Sequence, residues 1–210
     1  MHDHDVTRVL AVRHGETDWN AALRIQGHTD IALNERGRWQ AAQLARALAD
    51  EELHAVYSSD LQRAHATAHA VAVNAGLAVQ HDLGLRERGF GDFEGLTFAE
   101  IEARNPEHAR RWRQRDPGFA PGGGGESLQR FYARCVATAA ALAARHRGQT
   151  VLLVAHGGVL DCLYRAATRV ALDAPRSWQL GNATVNRLLH TDDGFTLVGW
   201  NDAAHLHDGA

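Results

Sequence analysis

The sequence predicts an α/β domain built on a buried, mostly parallel sheet, and three observations predict it. Two short runs, Val9-Leu10-Ala11-Val12 and Thr150-Val151-Leu152-Leu153-Val154-Ala155, are apolar without alternation, as strands covered on both faces are. Each runs straight into a histidine and a glycine, Arg13-His14-Gly15 in one case and His156-Gly157-Gly158 in the other. The segments between them carry helical periodicity, and strands alternating with helices build open α/β folds. Ligands of such folds sit at the carboxyl ends of strands, which is where Arg13, His14 and His156 would lie. The 210 residues suffice for one sizeable core, so a single domain over 1–210 is expected.

The elements follow in order. Val9 to Val12 is the first strand; the stretch through Asn20 and the loop Leu23 to Asp30 are polar and aperiodic. Asn34 reads as the N-cap of a helix whose Ala41, Leu44, Ala45 and Leu48 share one core face. Ala55 to Ser58 is a second strand. Ser59-Asp60-Leu61-Gln62 reads as a capping box opening a helix to about Ala75, with Leu61, Ala64, Ala68 and Val71 inward. Arg63 falls in its first turn, where the helix dipole adds positive potential. Leu77-Ala78-Val79 reads as a short strand, and Leu85 to Gly91 as a loop with Glu87 between Arg86 and Arg88. Thr97-Phe98-Ala99-Glu100 is a second capping box, and Pro106 starts a helix. That helix carries Arg110, Arg111, Arg113 and Arg115, which read as a solvated face, or alternatively as contacts for an anionic leaving group. Pro117 to Gly125, with four consecutive glycines, reads equally as a mobile loop over a site or as a linker.

A helix from Glu126 to about His146 buries Leu128, Phe131, Cys135, Ala139 and Leu142, with Gly148 as its C-cap. Thr150 to Ala155 is wholly apolar and so central, and a helix begins directly after it. Pro175 fits the first turn of another helix. Val185 to His190 and Phe195 to Trp200 read as a hairpin at the sheet edge, an edge that leaves a homodimer open.

Composition narrows the function. A net charge of -3 argues against nucleic acid or an anionic membrane as partner. All 22 basic residues are arginine, which excludes a Schiff-base lysine, a lysine base and a P-loop lysine. Arginine, the bidentate partner of phosphate and carboxylate, is the strong cation available. Cys135 and Cys162 fall in helical patterns and read as reduced packing residues of a cytoplasmic protein. Met1 to Asp5 is polar, unlike a signal peptide, and no apolar stretch reaches the ~18 residues of a membrane span. His2 with His4, and His205 with His207, lack a carboxylate or cysteine at ligand spacing, so no metal site is expected.

The residues that carry chemistry are Arg13, His14, Asn20, Arg63, Glu87 and His156. Taken singly, Arg86-Glu87-Arg88 reads as a surface ion-pair loop, Arg63 as a solvated helix residue, and His156 as either functional or tightly packed. Taken together, two guanidiniums and a helix N-terminus suit a phosphate dianion. An imidazole can attack phosphorus and split a difficult displacement into two easier ones. It must be unprotonated to do so, and neighbouring arginines favour that form. A carboxyl group supplies the leaving oxygen with its proton and then serves as base toward water. No step needs a metal or another cofactor.

In these residues the chain resembles the histidine phosphatase superfamily, the phosphoglycerate mutase-like enzymes. The resemblance rests on Arg13-His14-Gly15-Glu16-Thr17 with Asn20, and on Ser58-Ser59-Asp60-Leu61-Gln62-Arg63-Ala64. It continues through Leu85-Arg86-Glu87 with Gly91 and Gly95, Gly125-Glu126-Ser127, and Val154-Ala155-His156-Gly157-Gly158. It implies a three-layer α/β/α sandwich with a mostly parallel sheet. It implies that His14 is phosphorylated, that Arg13, Arg63 and His156 hold the phosphoryl group, that Thr17 and Asn20 assist, and that Glu87 is the proton donor. Gln26, Gly27 and Gly157 complete the expected substrate-binding set, and the loops at Gln26-Gly27 and Phe90 to Phe93 would shape the leaving-group pocket.

The family contains mutases and phosphatases. This chain is shorter than the mutases after Glu87, has no lysine for a substrate carboxylate, and carries Trp112-Arg113-Gln114 where mutases tend to have Trp-Arg-Arg. A site open to water hydrolyses its phosphoenzyme. The expectation is therefore a phosphomonoester hydrolase acting on a small phosphorylated metabolite. A 2,3-bisphosphoglycerate-dependent phosphoglycerate mutase is the alternative, and a phosphate-ester binding protein without turnover is a remote one.

Overall fold

Side chains along a strand alternate between faces, so strands apolar at every position need a cover on each side. In a computed structural model describing residues 6–207, six strands receive both covers. They are β1 (Thr7–Arg13), β2 (Ala55–Ser58), β3 (Val79–His81), β4 (Thr150–Ala155), β5 (Val185–Thr191) and β6 (Gly194–Asp202), in the order β3-β2-β4-β1-β5-β6. Strands β1, β2, β3 and β4 are mutually parallel, whereas β5 runs antiparallel to β1 and pairs with β6 as the edge hairpin. Strand β4 is buried along its whole length between β1 and β2.

On one face Val9, Ala11, Tyr57, Val151 and Leu153 pack against α6 (Leu128–Ala144) and α7 (Gly157–Thr168). On the other, Leu10, Val12, Val56, Leu152 and Val154 pack against α2 (Glu35–Ala47) and α3 (Gln62–Ala75). The result is the expected three-layer α/β/α sandwich. A third cluster sits apart, where Phe93, Ile101, Ala109 and Phe119 join Phe90 and Trp112. It binds α4 (Phe98–Arg104) and α5 (Pro106–Arg113) into a cap beside the strand ends. A one-turn helix, α1 (Asp18–Ala21), follows β1.

Local signals set most boundaries. Asn34 caps α2 by accepting from Gly37 N, and Thr97 with Glu100 forms the expected capping box of α4. Four readings need correction. Ser59 does not cap α3: its N–H donates to Val154 O at 3.1 Å, which holds it in the sheet, and Leu61 takes the cap position without a side-chain bond. Asp30, distant in sequence, accepts from Gln62 N at 2.9 Å instead. No helix forms at Pro175. Arg165, reaching from α7, takes the carbonyls of Ala171 and Ala174, and Trp178 stacks on Tyr164 at 4.0 Å, so residues 169–184 run as an irregular strap. Strand β3 lies two residues later than read, because Leu77 N still donates to Ala72 O at the end of α3. Helix α6 starts at Leu128 with Ser127 as its cap, and Gly148, at φ +75°, lies beyond its C-cap Arg145.

Cys135 and Cys162 are buried and free, as read. His2, His4 and the polar start at Met1 to Asp5 lie outside the described residues. Among those described, no helix is long and apolar enough to cross a membrane, and no group of three or more His, Cys, Asp or Glu is placed to hold a metal ion.

Candidate active site

The parallel register of β1 and β4 pairs Arg13 with Ala155, and His14 N donates to Ala155 O at 3.0 Å. The residues that follow each strand are thereby neighbours, and the His14 and His156 rings lie 5.2 Å apart, centroid to centroid. Strand β2 ends alongside and leads into α3, which brings Arg63 to the same edge.

His14 is 3% exposed, and its Nδ1 lies 2.7 Å from Gly15 O. A carbonyl only accepts, so Nδ1 carries the hydrogen and Nε2 presents a lone pair. Burial, then the charges of Arg13 and Arg63, hold the His14 pKa well below its ordinary value, so the neutral ring prevails at neutral pH. Burial, then the charge of Arg63 and that of Arg13, do the same to His156. Gly15 must be glycine, because a Cβ there would stand 2.5 Å from Gly37 O in the first turn of α2. That close packing, with Gly15 N donating to Thr67 Oγ1 at 3.0 Å, fixes the loop carrying His14.

Both arginines are anchored at one end and free at the other. Arg13 donates through Nη1 to Leu180 O at 2.6 Å, and Arg63 donates to Thr29 O and Gly27 O at 2.9 Å each. Their Nε groups are buried without partners among the described residues, as are both ring nitrogens of His156. Burial lowers the Arg63 pKa to about 10, still far above neutrality, and burial also lowers Arg13. Buried donors are normally satisfied, so a group of unmet ones around a lone pair describes what the site takes: an anion with several acceptor oxygens.

Glu87 enters from the loop after a 3-10 turn at Leu83–Leu85. Its Oε1 accepts from Arg88 N at 2.8 Å and its Oε2 from Gly158 N, in the first turn of α7, at 3.0 Å. The backbone beneath it is clamped by Arg134, which donates to Arg86 O and Glu87 O and pairs with Glu126 at 2.6 Å. The ion-pair reading of this loop holds for Arg86, bonded to Asp60 at 2.7 Å. It fails for Arg88, which is 4% exposed and donates to the carbonyls of Glu126 and Phe119.

Arg13, His14, Asn20, Gln26, Gly27, Arg63, Glu87 and Phe90 line one cavity of about 160 Å³. Two expected substrate contacts sit elsewhere. Thr17 is fully buried and forms a capping box on α1 with Asn20, so it supports the loop rather than lining the cavity. Gly157 lines a neighbouring groove of about 570 Å³ with Arg13, Glu87 and Arg176. The sequence reading missed Arg24, which lines the first cavity, and Asn182, which donates to His14 O at 2.9 Å and Asn20 Oδ1 at 3.3 Å. Asn182 lies in the irregular strap, where no periodicity singles it out.

Residues 9–203 match the histidine phosphatase superfamily (branch 1). The chain belongs to this family. It is 39% identical over 209 residues to a phosphoglycerate mutase-like protein 4 of Arabidopsis thaliana, covering 98% of this chain and 90% of that one. It is 37% identical to a metal-independent phosphoserine phosphatase of the same plant, over 96% and 84% of the two chains. Among solved structures, it superposes on a mycobacterial glucosyl-3-phosphoglycerate phosphatase determined with VO3, with a TM-score of 0.83 and 37% identity over 93% of this chain and 99% of that one. This histidine phosphatase is a phosphomonoester hydrolase with a phosphoglycerate mutase-like fold.

Proposed function

We propose that His14 Nε2 attacks the phosphorus of a small phosphorylated metabolite. The N–P bond forms as the P–O bond to the leaving group breaks. Arg13, Arg63 and His156 donate to the phosphoryl oxygens, and the Glu87 carboxyl gives its proton to the departing oxygen. Water then attacks the phosphohistidine, losing its proton to Glu87, and inorganic phosphate leaves while His14 regains its lone pair. Asn20 and Gln26 stand at the cavity wall for further contacts. One observation carries this reading: His14, its Nδ1–H fixed on Gly15 O, lines one cavity with Arg13 and Arg63, whose Nε groups are unmet among the described residues.

The relatives named for phosphoserine and glucosyl-3-phosphoglycerate support a small anionic metabolite as substrate. So does Arg176, an exposed cation on the rim beside Glu87. Cytoplasmic action as one domain over 1–210, without nucleic acid or membrane partners, fits the weakly acidic composition. Pairing across the free edge of β6 would give a homodimer, which sedimentation tests. The mutase-like relative keeps isomerisation as the second reading.

The test is phosphate release from 3-phosphoglycerate and an aryl phosphate with EDTA present, beside a mutase assay with 2,3-bisphosphoglycerate. Rapid EDTA-insensitive release with negligible isomerisation is expected. Fast isomerisation with little release would establish the mutase instead.

A further inference from the structure

The arginines around Trp112 do not share one environment. Arg110 pairs with Glu107 at 2.6 Å, Arg111 with Asp116 at 2.7 Å and Arg113 with Glu102 at 3.0 Å, with the arginine side chains 39% exposed or more. Arg115 has a side chain only 20% exposed. Its backbone stands at φ +54°, a conformation costly to a residue with a Cβ, and such strain persists where the surroundings enforce it. Its guanidinium crosses to α7, donating to Asp161 Oδ2 at 2.7 Å and to Leu172 O at 3.0 Å.

Asp161 is 4% exposed, and the same Oδ2 takes a second donor from Arg165 Nε at 3.0 Å. With two guanidiniums on one oxygen, the carboxylate cannot rotate. Its Oδ1 is buried with no partner among the described residues. Asp161 and Arg115 line a cavity of about 180 Å³ that also reaches Glu87, Phe90, Trp112 and Arg176. This cavity is distinct from the one holding His14, and Glu87 belongs to both. A residue that lines a cavity beside Glu87 and keeps one carboxylate oxygen unmet among the described residues offers an acceptor to a ligand's donor.

We propose that the cavity between α5 and α7 receives the leaving group and that Asp161 Oδ1 selects leaving groups bearing a hydrogen-bond donor. The inference rests on Glu87 protonating the leaving oxygen, because that places the leaving group on Glu87's side of the phosphorus. Arg115 is a positioning residue: it holds Asp161 by Oδ2 and leaves Oδ1 to the substrate. Phe90 and Trp112 wall the carbon skeleton.

The experiment compares glycerol 3-phosphate with 2,3-difluoropropyl phosphate, in which each hydroxyl becomes a fluorine that accepts but cannot donate. The native enzyme should prefer the hydroxylated ester by about 10-fold or more in kcat/KM, as a hydrogen bond to a charged acceptor would give. In Asp161→Asn the amide oxygen must serve Arg115 and Arg165, so the NH2 turns to the cavity as a donor. The preference should then shrink to within about 3-fold. A native enzyme indifferent to the exchange overturns the proposal, whether or not Asp161→Asn folds. So does a folded Asp161→Asn that keeps the full preference. Calorimetric binding of the two esters to His14→Ala reads the same difference without turnover. If neither ester releases phosphate from the native enzyme, the binding comparison still decides the subsite, while the phosphatase reading stands or falls on the 3-phosphoglycerate and aryl phosphate assay.

Discussion

The two histidine-glycine segments begin from the same design and end with different chemistry. Each follows a buried strand, each ring is buried among the same arginines, and both pKa values are pushed well below the ordinary histidine value. The difference lies in what each backbone offers. Gly15 O holds the Nδ1–H of His14, which leaves the Nε2 lone pair free, whereas both nitrogens of His156 lack a partner among the described residues. His14 sits in a loop pinned against α2, and His156 is the N-cap of α7, whose Gly158 N donates to Glu87. The glycines diverge as well. Gly158 has Glu87 Oε1 where a Cβ would come within 2.2 Å, while the nearest atom to a Cβ on Gly157 is Arg13 Nε at 3.4 Å. In the mechanism proposed above, one fixed hydrogen bond marks His14 as the nucleophile, and the unmet ring of His156 suits it to hold phosphoryl oxygens.

Substitutions that erase this asymmetry rank by expected effect. His14→Ala should lower kcat by about 10⁴-fold or more and abolish phosphoenzyme formation, since no other histidine or cysteine among the described residues lines its cavity. His156→Ala removes one donor to the phosphoryl oxygens and should cost about 10²–10³ in kcat while the phosphoenzyme still forms. Gly158→Ala should reduce kcat by about 10² through displacement of Glu87, whereas Gly157→Ala should stay within about 3-fold. Equal losses from the two glycine variants in steady-state assays would break the comparison.

The pH dependence is the gentlest probe. Both rings stay neutral in the folded protein below pH ~6.5, where the unfolded chain's histidines take up protons. Their contribution to stability is therefore complete above pH ~6.5. It falls below that value by up to about 1.4 kcal/mol per pH unit for each ring, until the folded pKa values are reached. Chemical denaturation across pH 4–8 should show that slope reduced in His156→Gln. The acid limb of kcat/KM, which follows the neutral His14 ring, should also lie below pH ~6.5.

Much of this architecture was legible because its causes are local. The unbroken apolar run of β4, the Asn34 cap and the Thr97 capping box each act within a few residues. Arg13, His14, Arg63 and His156 were legible because each ends or directly follows a strand or lies in the first turn of a helix. What escaped depends on partners distant in sequence. Asp30 caps a helix 32 positions away, and Arg165 holds the strap that Pro175 alone would have turned into helix. Arg115 has the same side chain as three surface neighbours, and only a positive φ just beyond the end of α5 turns it toward Asp161. Composition carries no sign of such crossings.

The central claim is that His14, and not its neighbour His156, carries the phosphoryl group. Rapid quenching of the enzyme with ³²P-labelled substrate under alkaline conditions, followed by peptide mapping, tests it directly. The account predicts an acid-labile, alkali-stable label on Nε2 of His14, present in His156→Ala and absent in His14→Ala. A label on His156, or one that survives in His14→Ala, would contradict it.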